Sequence, residues 1–515
     1  PDGFHLDMCF NDCVCVCDYC RPALERICGT SDITLDVVNA HWREFVDWRN
    51  ECSASLVGEV SAMLREHGVF AAHNGQNPLW LSPIYGFDRN LLPHLDPYVS
   101  EIFYDLHTAD LTMRWHQAIG KPSCMLVTGT SPSHAHLSIP LQAWQVSAAC
   151  AKANGCSILG PCGVGAYPDT TSSKRLLDTV RQGLDFFMED ADLHDGARPA
   201  AKVALVFSWA TRNYFREGRL DWSQELDGWS RVLIEEHIPF EIVVAEDIQS
   251  VEKLQQYRLV ILPNTAFLSD TCCAALTAYV HAGGRVLATG ETSLGDEHGF
   301  NRDDFALGAL LGVTRKGVKE GTFAMDGPLE HEPAAGVFQQ VAASAEVLSL
   351  RIATDPAGPV AGGPDPFPMA PTEWPVAVVQ KTGQGQALYV AFGLGRYYVL
   401  QSLTHARDRM VRYLDLLLPE RQLKVQAPRH LEVNVWHQET PERFILHLAN
   451  RTPLAHDMPK IHEIAPVCDV RLEMVNPYPA ARVTFRGAEG TAAMVGNKIA
   501  ITIPRMEVYA AVLIE

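Results

Sequence analysis

The chain is 515 residues long, which at about 150 residues per domain predicts two to four domains. It is 47% hydrophobic and 20% charged, ordinary for a globular protein with sizeable cores, and its 42 Lys and Arg against 61 Asp and Glu leave a formal net charge of -19. That acidic excess argues against nucleic acid or an anionic membrane as partner, and no apolar run of about 18 residues offers a membrane span. The chain opens on Pro1 with neither a start methionine nor a signal peptide, so further residues are expected upstream. Fourteen cysteines are too dilute for a disulfide-stapled scaffold. Cys9, Cys13, Cys15, Cys17 and Cys20 cluster, and the rest read as buried free thiols, which predicts a reducing, cytoplasmic compartment.

In chain order, residues 3–7 read as a short strand ending in Asp7. A helical pattern over 39–66 runs through Trp42, Phe45, Val46, Leu56, Val57, Val60, Met63 and Leu64. A strand at 69–72 ends in His73-Asn74-Gly75, and strands at 101–104, 124–127 and 157–159 alternate with helices over 109–119, 141–153 and 173–189. This alternation predicts a parallel sheet. Its five strands fit the C-terminal part of an eight-stranded (β/α)8 TIM barrel spanning residues 1–195, with three strands upstream of Pro1; periodicity alone equally allows an open doubly wound sheet. The charged stretch 189–199 reads as a linker. A second series follows over 200–420, with strands at 203–207, 240–244, 259–262, 285–289 and 387–392, and helices at 221–236, 269–282 and 403–418. It reads as a flavodoxin-type α/β sheet, with the Gly- and Pro-rich segment 355–373 as a surface loop. Residues 421–515 switch to period-two runs such as Leu431-Glu432-Val433-Asn434-Val435-Trp436, which predict a small antiparallel β-sandwich or meander.

Asp7 at a strand end is placed as barrel enzymes place catalytic groups, and serves as a nucleophile, a general acid/base or the cap of the next turn. Glu101 and Asp105 share one strand face if that strand is regular, and two carboxylates from different strands over one barrel mouth are what glycoside hydrolysis requires. Polar and aromatic side chains at other strand ends, His73, Asn74, Trp80 and His134, are the candidate substrate-binding residues together with Asp105. Cys15-x-Cys17-x2-Cys20 brings three thiolates into one short loop able to wrap a tetrahedral ion. A structural zinc fits it, with the fourth ligand from Cys9, Cys13 or upstream; an iron–sulfur cluster or unliganded thiols are the alternatives. No cofactor for catalysis is expected. In the middle region the turns Leu262-Pro263-Asn264-Thr265 and Ala288-Thr289-Gly290-Glu291-Thr292 hold no cysteine where a class I glutamine amidotransferase carries its nucleophile, so that unit is expected to be a scaffold.

The run from Val203-Ala-Leu-Val-Phe-Ser through Tyr257-Arg-Leu-Val-Ile-Leu-Pro-Asn to Gly283-Gly-Arg-Val-Leu-Ala-Thr-Gly resembles the trimerisation domain of the family 42 β-galactosidases, over about residues 200–418. The first 195 residues resemble the later half of the barrel called hypothetical glycosyl hydrolase 6, akin to the α-L-fucosidases, in which a strand ending in Asp precedes a Cys-rich loop, as in Pro1-Asp2-Gly3-Phe4-His5-Leu6-Asp7 and Cys15-Val16-Cys17-Asp18-Tyr19-Cys20. The fucosidase resemblance implies a retaining exo-glycosidase with Asp7 as nucleophile and Glu101 as acid/base. The family 42 resemblance implies a β-galactosidase with Asp7 as general acid, and its zinc loop is similar to the Cys15–Cys20 loop. The chain departs from these patterns at Leu6-Asp7, where family 42 has Asn-Glu, and at Thr130-Ser131-Pro132-Ser133 and Gly160-Pro161-Cys162-Gly163, where the fucosidase-like barrels carry an Arg-Phe-His-type segment and a Gly-Asp. Those departures support a third reading, a non-catalytic carbohydrate-binding or scaffold protein. The resemblance also implies a homo-oligomer, a trimer first and a dimer second. Trp209, Tyr214 and Phe215 follow the first strand of the middle region, at the end of a parallel sheet where loops are exposed, and are the expected subunit contact; the alternative is that they fold back on their own domain.

Overall fold

The computed structural model describes residues 3–6, 13–74, 78–80, 82–102, 106–127, 130–131, 134–159, 173–327, 331–355, 367–452, 461–478 and 481–515. Its first sheet is wholly parallel and runs in chain order: Gly3–Leu6, Phe70–Asn74, Tyr98–Ile102, Ser123–Val127 and Ser157–Leu159. Right-handed crossovers between successive neighbours all step the same way and lay their helices on one face, whereas a doubly wound sheet reverses its order at a switch point. The sheet is singly wound, which removes the open doubly wound alternative. The helices are Trp42–Glu66, Leu106–Ala118, Leu141–Ala153 and Lys174–Met188. The long pattern from residue 39 breaks at His41, which separates Leu35–Ala40 from Trp42–Glu66. The third strand starts at Tyr98, three residues before its expected start, because Tyr98 is a core residue whose ring packs on Trp115 at 5.4 Å. His134 belongs to the strand His134–Ser138 of a short hairpin.

The middle sheet has nine strands. Phe240–Val244, Val203–Phe207, Leu259–Leu262, Arg285–Thr289 and Gly385–Val390 are parallel neighbours, the flavodoxin order 2-1-3-4-5. The strand Val203–Phe207 is buried at every position, as a strand covered on both faces must be. Four long antiparallel strands extend this sheet, in the order Phe367–Thr382, Glu346–Asp355, Val313–Met325 and Glu332–Ala343. They correct the expected loop at 355–373: residues from Phe367 onward are strand. Pro368, Pro371 and Pro375 sit where the pairing with Glu346–Asp355 repeatedly shifts register, which accommodates residues that cannot donate to a ladder.

The last part is two antiparallel sheets packed face to face. Leu423–Gln426, Val467–Val475, Lys498–Met506 and Thr491–Val495 form one; Val483–Arg486, Tyr509–Ile514, Glu442–Asn450 and Leu431–Glu439 form most of the other. Its core joins Val433, Val435, Leu446 and Leu448 to Val470, Leu472, Ile501 and Ile503. The fifth strand of the second sheet is Ala197–Pro199, antiparallel to Leu431–Glu439. The expected linker is thus partly an edge strand that sews the first part of the chain to the last. The other face of that sheet is buried too, with Trp436, Ile445 and Ala449 packed in one cluster with Trp144 and Ala153 of the helix Leu141–Ala153.

Candidate active site at the parallel strand ends

In a singly wound parallel sheet the carboxyl ends of all strands open on the same side, here the ends at Leu6, Asn74, Ile102, Val127 and Leu159. Asp7 and Asp105 lie outside the described residues. Glu101 is next to last in the strand Tyr98–Ile102, opposite Leu126 of the neighbouring strand; its side chain, like those of Asn74 and His134, lies outside the described residues. Tyr98 and Ser100 alternate onto the helix-bearing face, where Ser100 Oγ and His116 Nε2 are 2.9 Å apart and Tyr98 meets Trp115. His73 pairs with Tyr98 and shares that face: it is 2% exposed and stacks on Phe87 at 6.3 Å. It is a packing residue beneath the strand ends, set against the Phe87 ring. Trp80 is half-buried against the same core.

The thiol loop is compact. The sulfurs of Cys15, Cys17 and Cys20 all lie within 4.8 Å of one another. Zinc–sulfur bonds of about 2.3 Å set tetrahedral thiolates about 3.8 Å apart, so small adjustments seat an ion. Cys17 N-terminal to the helix Arg21–Cys28 is lowered to about 7, chiefly by a backbone hydrogen bond from Cys20 and next by the Cys15 thiol; burial and its two thiol neighbours push Cys20 up to about 12. A lowered thiol is the state a thiolate ligand needs. Among the described residues the group has three members. Arg49 ties this loop down, donating to the Cys13 carbonyl at 2.9 Å and to the Ile84 carbonyl at 3.0 Å.

A second group of metal-ligating types, Asp110, Cys150 and Glu432, is fully buried where the three parts of the chain meet. Arg114 donates to Glu432 at 2.7 Å, to Asn434 at 2.8 Å and to the Phe240 carbonyl at 2.7 Å, while Arg451 faces Asp110 at 2.8 Å. Two guanidiniums already supply the positive charge a cation would bring, so this is an ion-pair junction. Burial drives the Asp110 carboxyl well above its ordinary range; burial also acts on Glu432, but Arg114 and Arg451 outweigh it and hold that carboxyl down. Glu432 lies 322 positions from Asp110 in sequence, and no local spacing announces the pair.

The residues expected at a subunit contact instead face the chain's own first part. Trp209 is 3% exposed and packs on Phe87 and Trp115 at 5.8 Å each; Phe215 is buried, and the Tyr214 hydroxyl donates to Asp47 at 2.6 Å. The aromatic cluster is costly in water, and Phe87, the helix Leu106–Ala118 and the helix Trp42–Glu66 supply its cover.

Comparison with known proteins bears on the middle part first. Residues 201–411 match the β-galactosidase trimerisation domain. The whole chain is similar in fold to α-L-fucosidase isoenzyme 2 from Paenibacillus thiaminolyticus, with a TM-score of 0.74 at 20% identity over 100% of this chain and 77% of that one. It is also similar to Gan42B, a family 42 β-galactosidase from G. stearothermophilus (TM-score 0.65, 14% identity, 98% of this chain and 77% of that one). The β-galactosidase from Bacillus circulans sp. alkalophilus gives a TM-score of 0.62 at 13% identity, over 97% of this chain and 77% of that one. The fold is therefore that of glycoside hydrolases, a parallel-sheet part followed by the trimerisation domain and β-rich layers. Within the trimerisation domain the turn after the strand Leu259–Leu262 carries Asn264 at φ 48°, its side chain accepting from the Glu291 amide at 2.7 Å. Cys272 and Cys273 lie in the helix Asp270–His281, away from that turn.

Proposed function

We propose that the protein is a retaining exo-glycosidase of α-L-fucosidase type, whose singly wound sheet is the C-terminal part of a (β/α)8 barrel. The observation that carries this reading is the sequential parallel sheet with an Asp immediately after its first strand, in a chain whose fold likeness to the fucosidase, TM-score 0.74, exceeds that to the β-galactosidase Gan42B, 0.65. Position 101 is out of phase along its strand with Tyr98 and Ser100, which pack toward the helices. Asp7 attacks the anomeric carbon as the glycosidic C–O bond breaks, and Glu101 gives its proton to the departing oxygen. Glu101 then takes a proton from water, whose oxygen displaces Asp7 and releases the sugar with its configuration retained. Trp80 supplies an aromatic face beside the ring. A structural zinc on Cys15, Cys17 and Cys20 stabilises the loop after the first strand and takes no part in the chemistry; the thiols described in the chain are all free, in keeping with a reducing, cytoplasmic setting. The trimerisation domain supports a homo-oligomer, a trimer before a dimer.

Turnover of aryl glycosides by the full-length protein tests this reading. Hydrolysis of an aryl α-L-fucoside in preference to an aryl β-D-galactoside is expected. The reverse preference supports the family 42 reading, and no turnover of either supports a carbohydrate-binding or scaffold protein.

A further inference from the structure

Arg212 belongs to the trimerisation domain, in the short helix Trp209–Tyr214, yet its guanidinium is spent on the first part of the chain. It is fully buried, at 0% exposure. Its Nε donates to the Pro78 carbonyl at 3.2 Å, and one terminal nitrogen donates to the Phe87 carbonyl at 2.7 Å and to Asn213 Oδ1 at 2.9 Å. The neighbouring groups hold the same junction: Trp42 donates to the Asn213 carbonyl at 2.8 Å, and Trp209 packs on the Phe87 ring. Pro78 and Phe87 are the two ends of one segment. It follows the carboxyl end of the strand Phe70–Asn74, carries Trp80, and makes the turn Pro83–Tyr85 that Arg49 holds from the opposite side through the Ile84 carbonyl.

Burying a guanidinium against neutral carbonyls is expensive, and an apolar side chain of similar volume would pack at lower cost. Burial draws Arg212 down to about 10, so it stays charged at neutral pH, with Asp88 nearby as its countercharge. What the charge provides is geometry: a planar fork reaches two backbone carbonyls nine residues apart and so holds both ends of that segment.

We propose that Arg212 is a positioning residue for the sugar site, by which the trimerisation domain fixes the segment bearing Trp80 beside the strand ends. The proposal rests on the glycosidase reading. A displacement of about 1 Å in a substrate-positioning group costs up to 100-fold, so the effect is measurable.

The test uses the full-length protein with Arg212→Met, and Arg212→Lys as a variant that keeps the charge but loses the fork. For Arg212→Met, KM for an aryl α-L-fucoside is expected to rise roughly 10-fold with kcat within threefold, and Arg212→Lys to fall between. In a Trp80→Ala background Arg212→Met should add little, because both act through one contact. A fall in kcat at unchanged KM, the mark of lost folded enzyme, would overturn the proposal, as would additive effects in the double variant. Hydrogen exchange reads the clamp without activity: amides between residues 79 and 86 should exchange at least about 10-fold faster in Arg212→Met while those of Val203–Phe207 do not change. Unchanged exchange over 79–86 refutes the clamp itself. If the unmodified protein hydrolyses no glycoside, the sugar-site role fails with the glycosidase reading, and exchange still decides whether Arg212 holds the segment.

Discussion

Replacing Glu432 by Gln attacks the junction of all three parts of the chain at its one firmly ionised carboxylate. Glu432 is 1% exposed and faces Arg114, 8% exposed, at 2.7 Å; Asn154 and Asn434 donate to the same oxygen at 3.0 and 2.9 Å. Gln keeps one acceptor but removes the charge, leaving the buried Arg114 guanidinium without its carboxylate. Removing one partner of a buried pair costs about 3–5 kcal/mol. Asp110→Asn is the control. Burial raises the Asp110 carboxyl well above its ordinary range, so a neutral amide of the same shape is expected to cost less than the Glu432 change. The assay is urea unfolding of the full-length protein at neutral pH, followed by far-UV circular dichroism. A loss below about 1 kcal/mol for Glu432→Gln, or an equal loss for Asp110→Asn, would refute this assignment of charges.

His194 and His447 stack at 5.3 Å beside the buried pair Lys152–Asp190, and burial holds His194 near 4 and His447 well below its ordinary value. The unfolded chain therefore binds more protons from about pH 6.5 downward, so stability should fall as pH drops from about 6.5 toward 4, and His447→Phe should flatten that slope in urea titrations; an identical slope contradicts it. Metal analysis should find one zinc per chain in the purified protein and none after Cys17→Ser with Cys20→Ser; zinc retained by the double variant removes the site. Trp209→Ala should cost about 3–5 kcal/mol through the cavity it opens against Phe87 and Trp115, yet leave the mass in light scattering unchanged; dissociation would return Trp209 to a subunit interface.

Elements buried on both faces were legible as apolar runs, as in Val203–Phe207 and Leu259–Leu262, and the thiol loop was legible because its three cysteines are sequence neighbours. The antiparallel extension of the middle sheet was not. Its alternation is broken by Gly317, Gly321 and Gly336 and by the prolines after Phe367, and one face of Val313–Met325 stays in water. Ala197–Pro199 is a strand only because Leu431–Glu439 lies beside it, more than 200 residues away. Trp209 and Phe215 read as exposed because they follow a strand end, and only the packing of the middle part against the first part shows their cover. Arg114, Arg212 and Glu432 escaped for the same reason: each is a charged residue whose partners are distant in sequence.

The most direct test of the central claim is chemical rescue of Asp7→Gly in the full-length protein with an aryl α-L-fucoside and azide. If Asp7 is the nucleophile, azide takes its place on the face opposite the leaving group, and the product is the β-L-fucosyl azide. Formation of the α-L-fucosyl azide would make Asp7 the acid/base and contradict the account, as would wild-type hydrolysis by the variant without azide.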